Sequence, residues 1–528
     1  MKKSIKNIVL IFFFFFMFPI IGSCKTITST DYLITSGSSI KTIGGESIVL
    51  KGVNIGGWLL QTIYMSPVSA GGTEVDQTYI NSQLISRFGE SSTKSLYTIY
   101  YNNYITTSDL DVIASTNANV VRVSFWWRNF MDEDGNLTND YSKLDWLVSE
   151  CSKRGLYVIL DMHGAPGSQN GSISSGLITD TPTFFAQTTD GLNNRTLAIN
   201  LWKSIATHFK DNATIAGFDI LNEPYGGIAS SNHQVIWEFY KWAYNVIRGI
   251  DSKRIIIFES CWDLEELINY GQGKAWTNVL YSPHDYINTT KSTENLENYY
   301  KNIIASHNTY MSKYNVPIYV GEMSCYDYYD AWAYTINQYL DNNVSFTAWA
   351  YKATMNNSQW GIIYRSLSTG PANINAFTYS QISTIWATTS ANMTFNTNGY
   401  NALKEGFKTA VEKIELNKNE LSVTTKDKIQ LSATITPTNA TNQGITWVSS
   451  DGTIASVDAN GLVTVKTSGV VYIVAKATDD LTIKDSCKLT INLPTDSTTD
   501  DSSTIENISV EKIEINKNEL SVTTTDKI

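Results

Sequence analysis

The sequence predicts a (β/α)8 barrel, a TIM barrel, followed by a smaller module built of strands. Three observations carry this. Across 30–410, eight short apolar runs are each followed by a loop, and most then by a helical pattern. Strands alternating with helices argue for a parallel sheet, and eight of them for a barrel. Six of the runs end in, or contain, polar residues that packing alone does not require. From 411 onward the pattern changes to short apolar/polar alternations broken by Gly, Asn and Asp turns, and it begins to repeat. A doubly wound open sheet is the alternative for the first part. It usually carries a Gly-rich nucleotide loop after its first strand, and Gly56-Gly57 lacks that pattern.

Composition agrees with a large globular chain. At roughly 100–200 residues per domain, 528 residues make two to four domains, or one large barrel plus additions. A hydrophobic share of 42% supplies a core and excludes global disorder. Lys+Arg 39 against Asp+Glu 50 leaves a net charge of −11, which argues against a nucleic-acid partner. The 14 Trp and 30 Tyr suit stacking on sugar rings as well as core packing. Cys24, Cys151, Cys261, Cys325 and Cys487 are scattered, with neither metal-type spacing nor a disulfide framework. No metal or cofactor is expected.

The N-terminus, 1–24, reads as a secretory signal. Lys2, Lys3 and Lys6 precede an apolar run over 8–21 that is short for a membrane span. It ends Ile21-Gly22-Ser23-Cys24, which resembles a bacterial lipobox and implies a lipid anchor through Cys24. Ordinary cleavage nearby is the alternative. Either way a secreted or cell-surface protein is expected.

The eight runs, in order, are 48–55, 120–125, 157–162, 216–221, 255–259, 279–283, 317–320 and 345–351. In a barrel, chemistry sits where strands end. The second run contains Arg122, and the third ends Asp161-Met162-His163. The fourth ends Asn222-Glu223-Pro224, the sixth His284-Asp285-Tyr286 and the seventh Gly321-Glu322; the eighth contains Trp349. His208, His233 and His307 fall in helical patterns or near a helix start and are taken as structural or surface residues.

Two glutamates at the ends of opposed strands suggest glycosidic bond cleavage. That reaction needs a proton for the leaving oxygen and a carboxylate to meet the oxocarbenium-like centre. Both groups can be Glu if their surroundings push their pKa values apart. Arg122 with the His/Tyr pair would keep one ionised, and a more apolar setting would keep the other protonated.

With these residues in place, 32–410 resembles glycoside hydrolase family 5. Leu221-Asn222-Glu223-Pro224 matches the family's acid/base motif and Gly321-Glu322 its nucleophile motif. Arg122, His163, Asn222, His284, Tyr286 and Trp349 occupy its remaining characteristic places. Gly52-Val-Asn-Ile-Gly-Gly-Trp-Leu59 and His163-Gly-Ala-Pro-Gly-Ser-Gln-Asn-Gly171 look like the exo-β-1,3-glucanase branch. The resemblance implies double displacement on a β-glucan polysaccharide or oligosaccharide, with Glu322 attacking and Glu223 as acid, then base. It implies carboxyl groups about 5–5.5 Å apart. It also implies that Arg122 and Tyr286 orient Glu322 and keep it charged. Asn222 would contact the sugar 2-hydroxyl, His163 and His284 would bind hydroxyls or support the carboxylates, and Trp349 would stack under the sugar.

Around that site, Trp126, Trp127, Trp262 and Trp360 are cleft platforms or packing residues, and Asn170 lines the cleft or serves a turn. Trp202, Trp237 and Trp242 are expected in the core. Two departures leave linkage and exo habit open: Gln61-Thr62 stands where the branch has an acidic residue, and Gly321-Glu322 continues Met323-Ser324. An endo-β-1,4- or β-1,6-glucanase is the alternative, and a non-catalytic carbohydrate-binding surface protein is the other class.

The module over 411–493 resembles the bacterial immunoglobulin-like group 2 family through 444–451 and 454–465, implying a small all-β immunoglobulin-like sandwich with Trp447 in its core. Residues 412–429 and 511–528 are near-identical, differing at Leu416/Ile515 and Lys426/Thr525. An acidic Ser/Thr-rich linker, 494–510, precedes this second, partial copy.

Overall fold

The computed structural model describes residues 26–494, apart from 73, 226–232, 261–262, 356–358 and 438–439. The expected signal segment with Cys24, then Cys261, Trp262, the expected linker from 495 and the partial repeat lie outside the described residues. The chain forms two compact units, one up to Lys408 and one from Thr409.

The first unit is a parallel barrel. Its strands are β1 (Lys51–Leu59), β2 (Val120–Trp126), β3 (Tyr157–Gly164), β4 (Ile215–Asp219), β5 (Ile255–Glu259), β6 in two pieces (Val279–Ser282 and His284–Asp285), β7 (Tyr319–Met323) and β8 (Ser345–Ala348). Each pairs with the next, and β8 returns to β1 through Phe346↔Lys51, which closes the ring and excludes the open doubly wound sheet. Pro283 splits β6, because it has no N–H to give the ladder. The second piece pairs with β7 through His284↔Glu322.

Strands β2, β3 and β5 are buried along their whole length. That is why they read as continuous apolar runs rather than alternations. Gly57, at φ 76°, lets β1 slip register against β2 between Ile55 and Leu59. The lower barrel interior is filled by Val120, Ile159, Ile255 and Leu280, and Leu33 and Ile40 of an N-terminal hairpin plug it from below.

Helices α1 (Gln77–Phe88), α2 (Glu90–Tyr104) and α3 (Thr107–Ser115) connect β1 to β2. Then α4 (Ser142–Ser152), α5 (Thr189–His208), α6 (His233–Ile250), α7 (Leu264–Gly273), α8 (Thr293–Tyr314) and α9 (Tyr329–Asp341) connect successive strands. Local sequence sets their starts. Thr106 and Asp109 form a capping box, and the Thr188 and Ser292 hydroxyls accept backbone N–H groups of α5 and α8. Trp202 and Trp237 are buried, but Trp242 is 36% exposed, against expectation. At about 100° per residue, five positions past Trp237 lie some 140° around the helix, on its outer side. No helix among the described residues is long and apolar enough to cross a membrane.

The second unit is all-β. A four-stranded sheet built on Gly469–Ala477 and Lys484–Ile491 faces shorter strands over a core that includes Val471, Ile473, Cys487 and Leu489. Trp447 packs half-buried against this core.

Candidate active site

The site begins with one buried cation. Arg122 points into the barrel from β2 and is fully buried. Its Nε donates to Asp219 Oδ2 at 2.8 Å, and Nη1 donates to Asn54 Oδ1 and to Glu322 Oε1, both at 3.0 Å. Nη2 donates to Asn222 Oδ1 at 3.0 Å and to Glu259 Oε1 at 2.7 Å, and lies 3.1 Å from Asp161 Oδ2. Five strands therefore converge on one guanidinium, whose planar fork suits several carboxylates at once. Burial and the neighbouring Glu259 charge, only partly offset by Arg122, push the Asp219 carboxyl well above the usual range.

Glu322 ends β7 and is 5% exposed. Besides Arg122 it accepts the Tyr286 hydroxyl at Oε2, 2.7 Å away. Gly321 must be glycine: a Cβ there would meet His284 Nε2 at 2.8 Å and Ser282 Oγ at 3.0 Å. Burial pushes the Glu322 carboxyl above 4.5, even against the opposing charges of His284 and Arg122.

Glu223 follows β4 in a left-handed conformation, φ 41°, that a non-glycine residue adopts only under constraint. Its backbone N–H donates to Glu259 Oε2 at 2.7 Å, and Oε1 lies 2.9 Å from His284 Nδ1. Its side chain is 35% exposed. Burial raises its carboxyl, but the hydrogen bond and charge of His284 outweigh that and bring it below 4.5. The two directions reverse the sequence expectation. The Arg/Tyr-bound glutamate is the deeper one, and desolvation outweighs its donors.

His284 sits among three carboxylates: Glu223 at 2.9 Å, Glu259 at 3.4 Å and Glu322 at 3.7 Å. Burial disfavours its charge, but the three glutamates hold its proton well above 6.5. The Glu259 carboxyl is raised by burial and lowered by His284 and Arg122, and ends at about 2. Carboxylate oxygens of Glu223 and Glu322 and a ring nitrogen of His284 all lie within 4.8 Å of one another.

Residues 69–355 match the cellulase family, glycosyl hydrolase family 5, and 410–485 match the bacterial Ig-like domain, group 2. The chain belongs to glycosyl hydrolase family 5. Over 259 residues the family 5 barrel is 27% identical to a beta-xylosidase of Phanerodontia chrysosporium, covering 48% of this chain and 52% of that one. Over 236 residues it is 31% identical to a glucan 1,3-beta-glucosidase of Lachancea kluyveri, covering 42% of this chain and 51% of the relative. The chain thus spans about half the length of the curated relatives it matches. A rutinosidase structure from Aspergillus niger superposes with a TM-score of 0.50 at 18% identity, covering 64% of this chain and 98% of that one, which supports the barrel fold.

His163 Nδ1 lies 2.7 Å from Asp161 Oδ2, and its ring stacks on Trp349, 5.2 Å between centroids and 9° between planes. Trp349 is only 3% exposed. Asn222 is fully buried, and its Nδ2 has no protein partner among the described residues. Asn170 Nδ2 donates to the Glu223 carbonyl at 3.2 Å, and its Oδ1 accepts from Ser172 N in the turn at 3.0 Å. Trp360 joins the site, edge-on to Tyr286 at 5.7 Å and to Tyr326 at 5.2 Å. Trp126 is packed against the loop after β3, near Gly164 and Gly176, and Trp127 lies half-buried under Arg128. Gln61 and Thr62 are fully buried in a turn, with the Thr62 carbonyl accepting from Ser66 N at 2.8 Å.

Several site residues escaped the sequence reading. Asp219 and Glu259 each end a strand, a signal used elsewhere but not for them. Asn54 sits inside the Gly-Val-Asn motif. Gln169 ties the His163 carbonyl (2.8 Å) to the Asn222 carbonyl (2.9 Å) through one amide. Tyr64 packs near Trp360, and the charges of Glu322 and Glu223 help push its phenol above 10 after burial.

Proposed function

We propose that the protein is a retaining β-glycosidase acting on β-glucan, with β-1,3-glucan attacked from chain ends as the substrate. The single observation that carries retention is the spacing of Glu223 and Glu322, whose oxygens approach within 4.8 Å. Inverting enzymes need carboxyl groups about 6.5–9.5 Å apart to admit a water.

In the first step Glu322 attacks the anomeric carbon and forms a glycosyl-enzyme, with Arg122 and Tyr286 aiming its oxygens. Glu223 protonates the leaving oxygen. His284 Nδ1 and Glu223 Oε1 share one proton. In the free site it rests on the imidazole, and Glu223, the more exposed partner, passes it outward. In the second step Glu223 takes a proton from water, which attacks the anomeric carbon and releases Glu322. The unpaired Nδ2 of Asn222 meets the sugar 2-hydroxyl, and Trp349, backed by His163, forms the floor.

Tyr64, Met65, Tyr286, Trp349 and Trp360 form one apolar cluster on which a sugar ring can stack, and Tyr286 ties it to Glu322. The exo reading is supported by the name of the Lachancea relative, a glucan 1,3-beta-glucosidase. Export through the N-terminal segment, attachment at Cys24 and a spacer or adhesive role for the second unit are part of the same proposal.

The test is product analysis after incubating the chain with laminarin, pustulan, carboxymethyl-cellulose and mannan. Glucose from laminarin alone supports the reading. Oligosaccharides from the other polymers keep the chemistry and overturn the specificity. No product from any of them favours a carbohydrate-binding protein.

A further inference from the structure

Glu259 is 1% exposed at the end of β5, and both its oxygens are engaged. Oε2 accepts the Glu223 N–H at 2.7 Å and lies 3.4 Å from His284 Nε2. Oε1 accepts Arg122 Nη2 at 2.7 Å, and Arg122 Nη1 in turn donates to Glu322 Oε1. A continuous path therefore runs from the Glu223 backbone through one carboxylate and one guanidinium to the Glu322 side chain. The Glu259 carbonyl itself is anchored by the Tyr240 hydroxyl of α6 at 3.0 Å.

We propose that Glu259 is a positioning residue that holds the Glu223 main chain and aims Glu223 for proton transfer. The proposal rests on the retaining reading above. The left-handed backbone of Glu223 places its side chain over the site, and a charged acceptor on its N–H offsets the strain of that conformation. The same carboxylate faces His284 from β5, while Glu223 and Glu322 face it from β4 and β7. From 3.4 Å it therefore also attracts the imidazole that shares the proton with Glu223. A neutral amide cannot do both jobs, since its NH2 end would meet either the Glu223 N–H or the Arg122 guanidinium.

The test compares wild type with E259Q on two β-glucosides, using the full chain. The first is phenyl β-glucoside, whose unactivated phenol is a poor leaving group that departs slowly without a proton. The second is 2,4-dinitrophenyl β-glucoside assayed with azide: its departure needs no proton, and azide needs no base. Positioned acid–base catalysis is worth about 10²–10⁴-fold. The expected result is a loss of kcat of about 100-fold or more on the first substrate and less than about 10-fold on the second, with KM little changed. E259D, which keeps the charge, should recover part of the loss. Equal losses on both substrates, or no loss on either, would overturn the proposal.

If E259Q does not fold, E259D is read in the same two assays. Failure of both to fold assigns Glu259 to stability alone and also overturns it. Failure of the retaining reading would look different: wild type would give no turnover of either glucoside, or an α-configured first product.

Discussion

The carboxylate of Glu259 accepts the backbone N–H of Glu223 at 2.7 Å, so a buried acid at the end of β5 meets the main chain that presents an acid after β4. The conformation it meets is left-handed, and the side chain so presented is 35% exposed, whereas Glu259 and Glu322 beside it are nearly closed to water. Depth separates the two proposed roles. Glu322 is held rigidly by Arg122 and Tyr286, and Glu223 faces the solvent side with His284 behind it.

The two glutamates should separate cleanly in rescue experiments. E223A should lose most activity on a poor leaving group, and azide should restore turnover of 2,4-dinitrophenyl β-glucoside with a β-glucosyl azide as product. E322A should give no β-azide, since the glycosyl-enzyme no longer forms. The stereochemistry of the azide, read by NMR, decides the assignment.

The pH profile of kcat/KM should be a bell with displaced limbs. Glu322 must be ionised to attack and its carboxyl lies above 4.5, so the rate falls as pH drops through that raised value. The proton shared by His284 and Glu223 must be present, and His284 keeps it well above 6.5, so the alkaline fall comes later than for a free histidine. Removing the Glu259 charge in E259Q lowers the His284 value and moves the alkaline limb toward acid. An unshifted limb in that variant would place the proton elsewhere.

Tyr286→Phe removes a 2.7 Å hydroxyl donor from a buried carboxylate. A hydrogen bond to a charged group is worth about 1.5–3 kcal/mol, which corresponds to roughly 10–100-fold in rate. The Glu322 value should rise further, because its charged form loses a donor, and the acid limb should move to higher pH. Steady-state kinetics across pH 4 to 8 checks both effects.

Arg122→Met should act on folding before catalysis. It leaves Asp161, Asp219, Glu259 and Glu322 without their common cation in a closed interior. Breaking a buried pair typically costs about 3–5 kcal/mol. A thermal melt should show a fall of several degrees or more. A melt unchanged from wild type would mean that the acids take up protons at no cost.

Much of this protein could be read along the chain. Eight apolar runs appear as eight barrel strands because strands buried on both faces must be apolar throughout, and that leaves a contiguous mark. Their ends were less exact. The expected 345–351 run keeps strand pairing only to Ala348, and Pro283 divides β6. The strand-end residues Arg122, Glu223, His284, Tyr286 and Glu322 come together because parallel strands carry their C-terminal ends to one face.

Other features depend on distance across the barrel. Trp242 reads like Trp202 and Trp237 in a helical pattern, yet its angle about α6 turns it outward. Asp219 and Glu259 look like ordinary strand-end acids until Arg122 is placed between them. The expected pKa order reversed for a similar reason. Donors to Glu322 can be guessed from motifs, but the depth of its burial cannot.

The sequence by itself determined the class of fold, the two-unit order and the residues available for chemistry, because periodicity, turn residues and strand-end polarity are local properties of the chain. The tertiary structure alone decided how far apart Glu223 and Glu322 stand, which of them is closed to water, and that Glu259 links them. Those quantities are set by the closure of eight strands around one buried guanidinium, and electrostatic energies there depend on separations and desolvation that no run of neighbouring residues encodes.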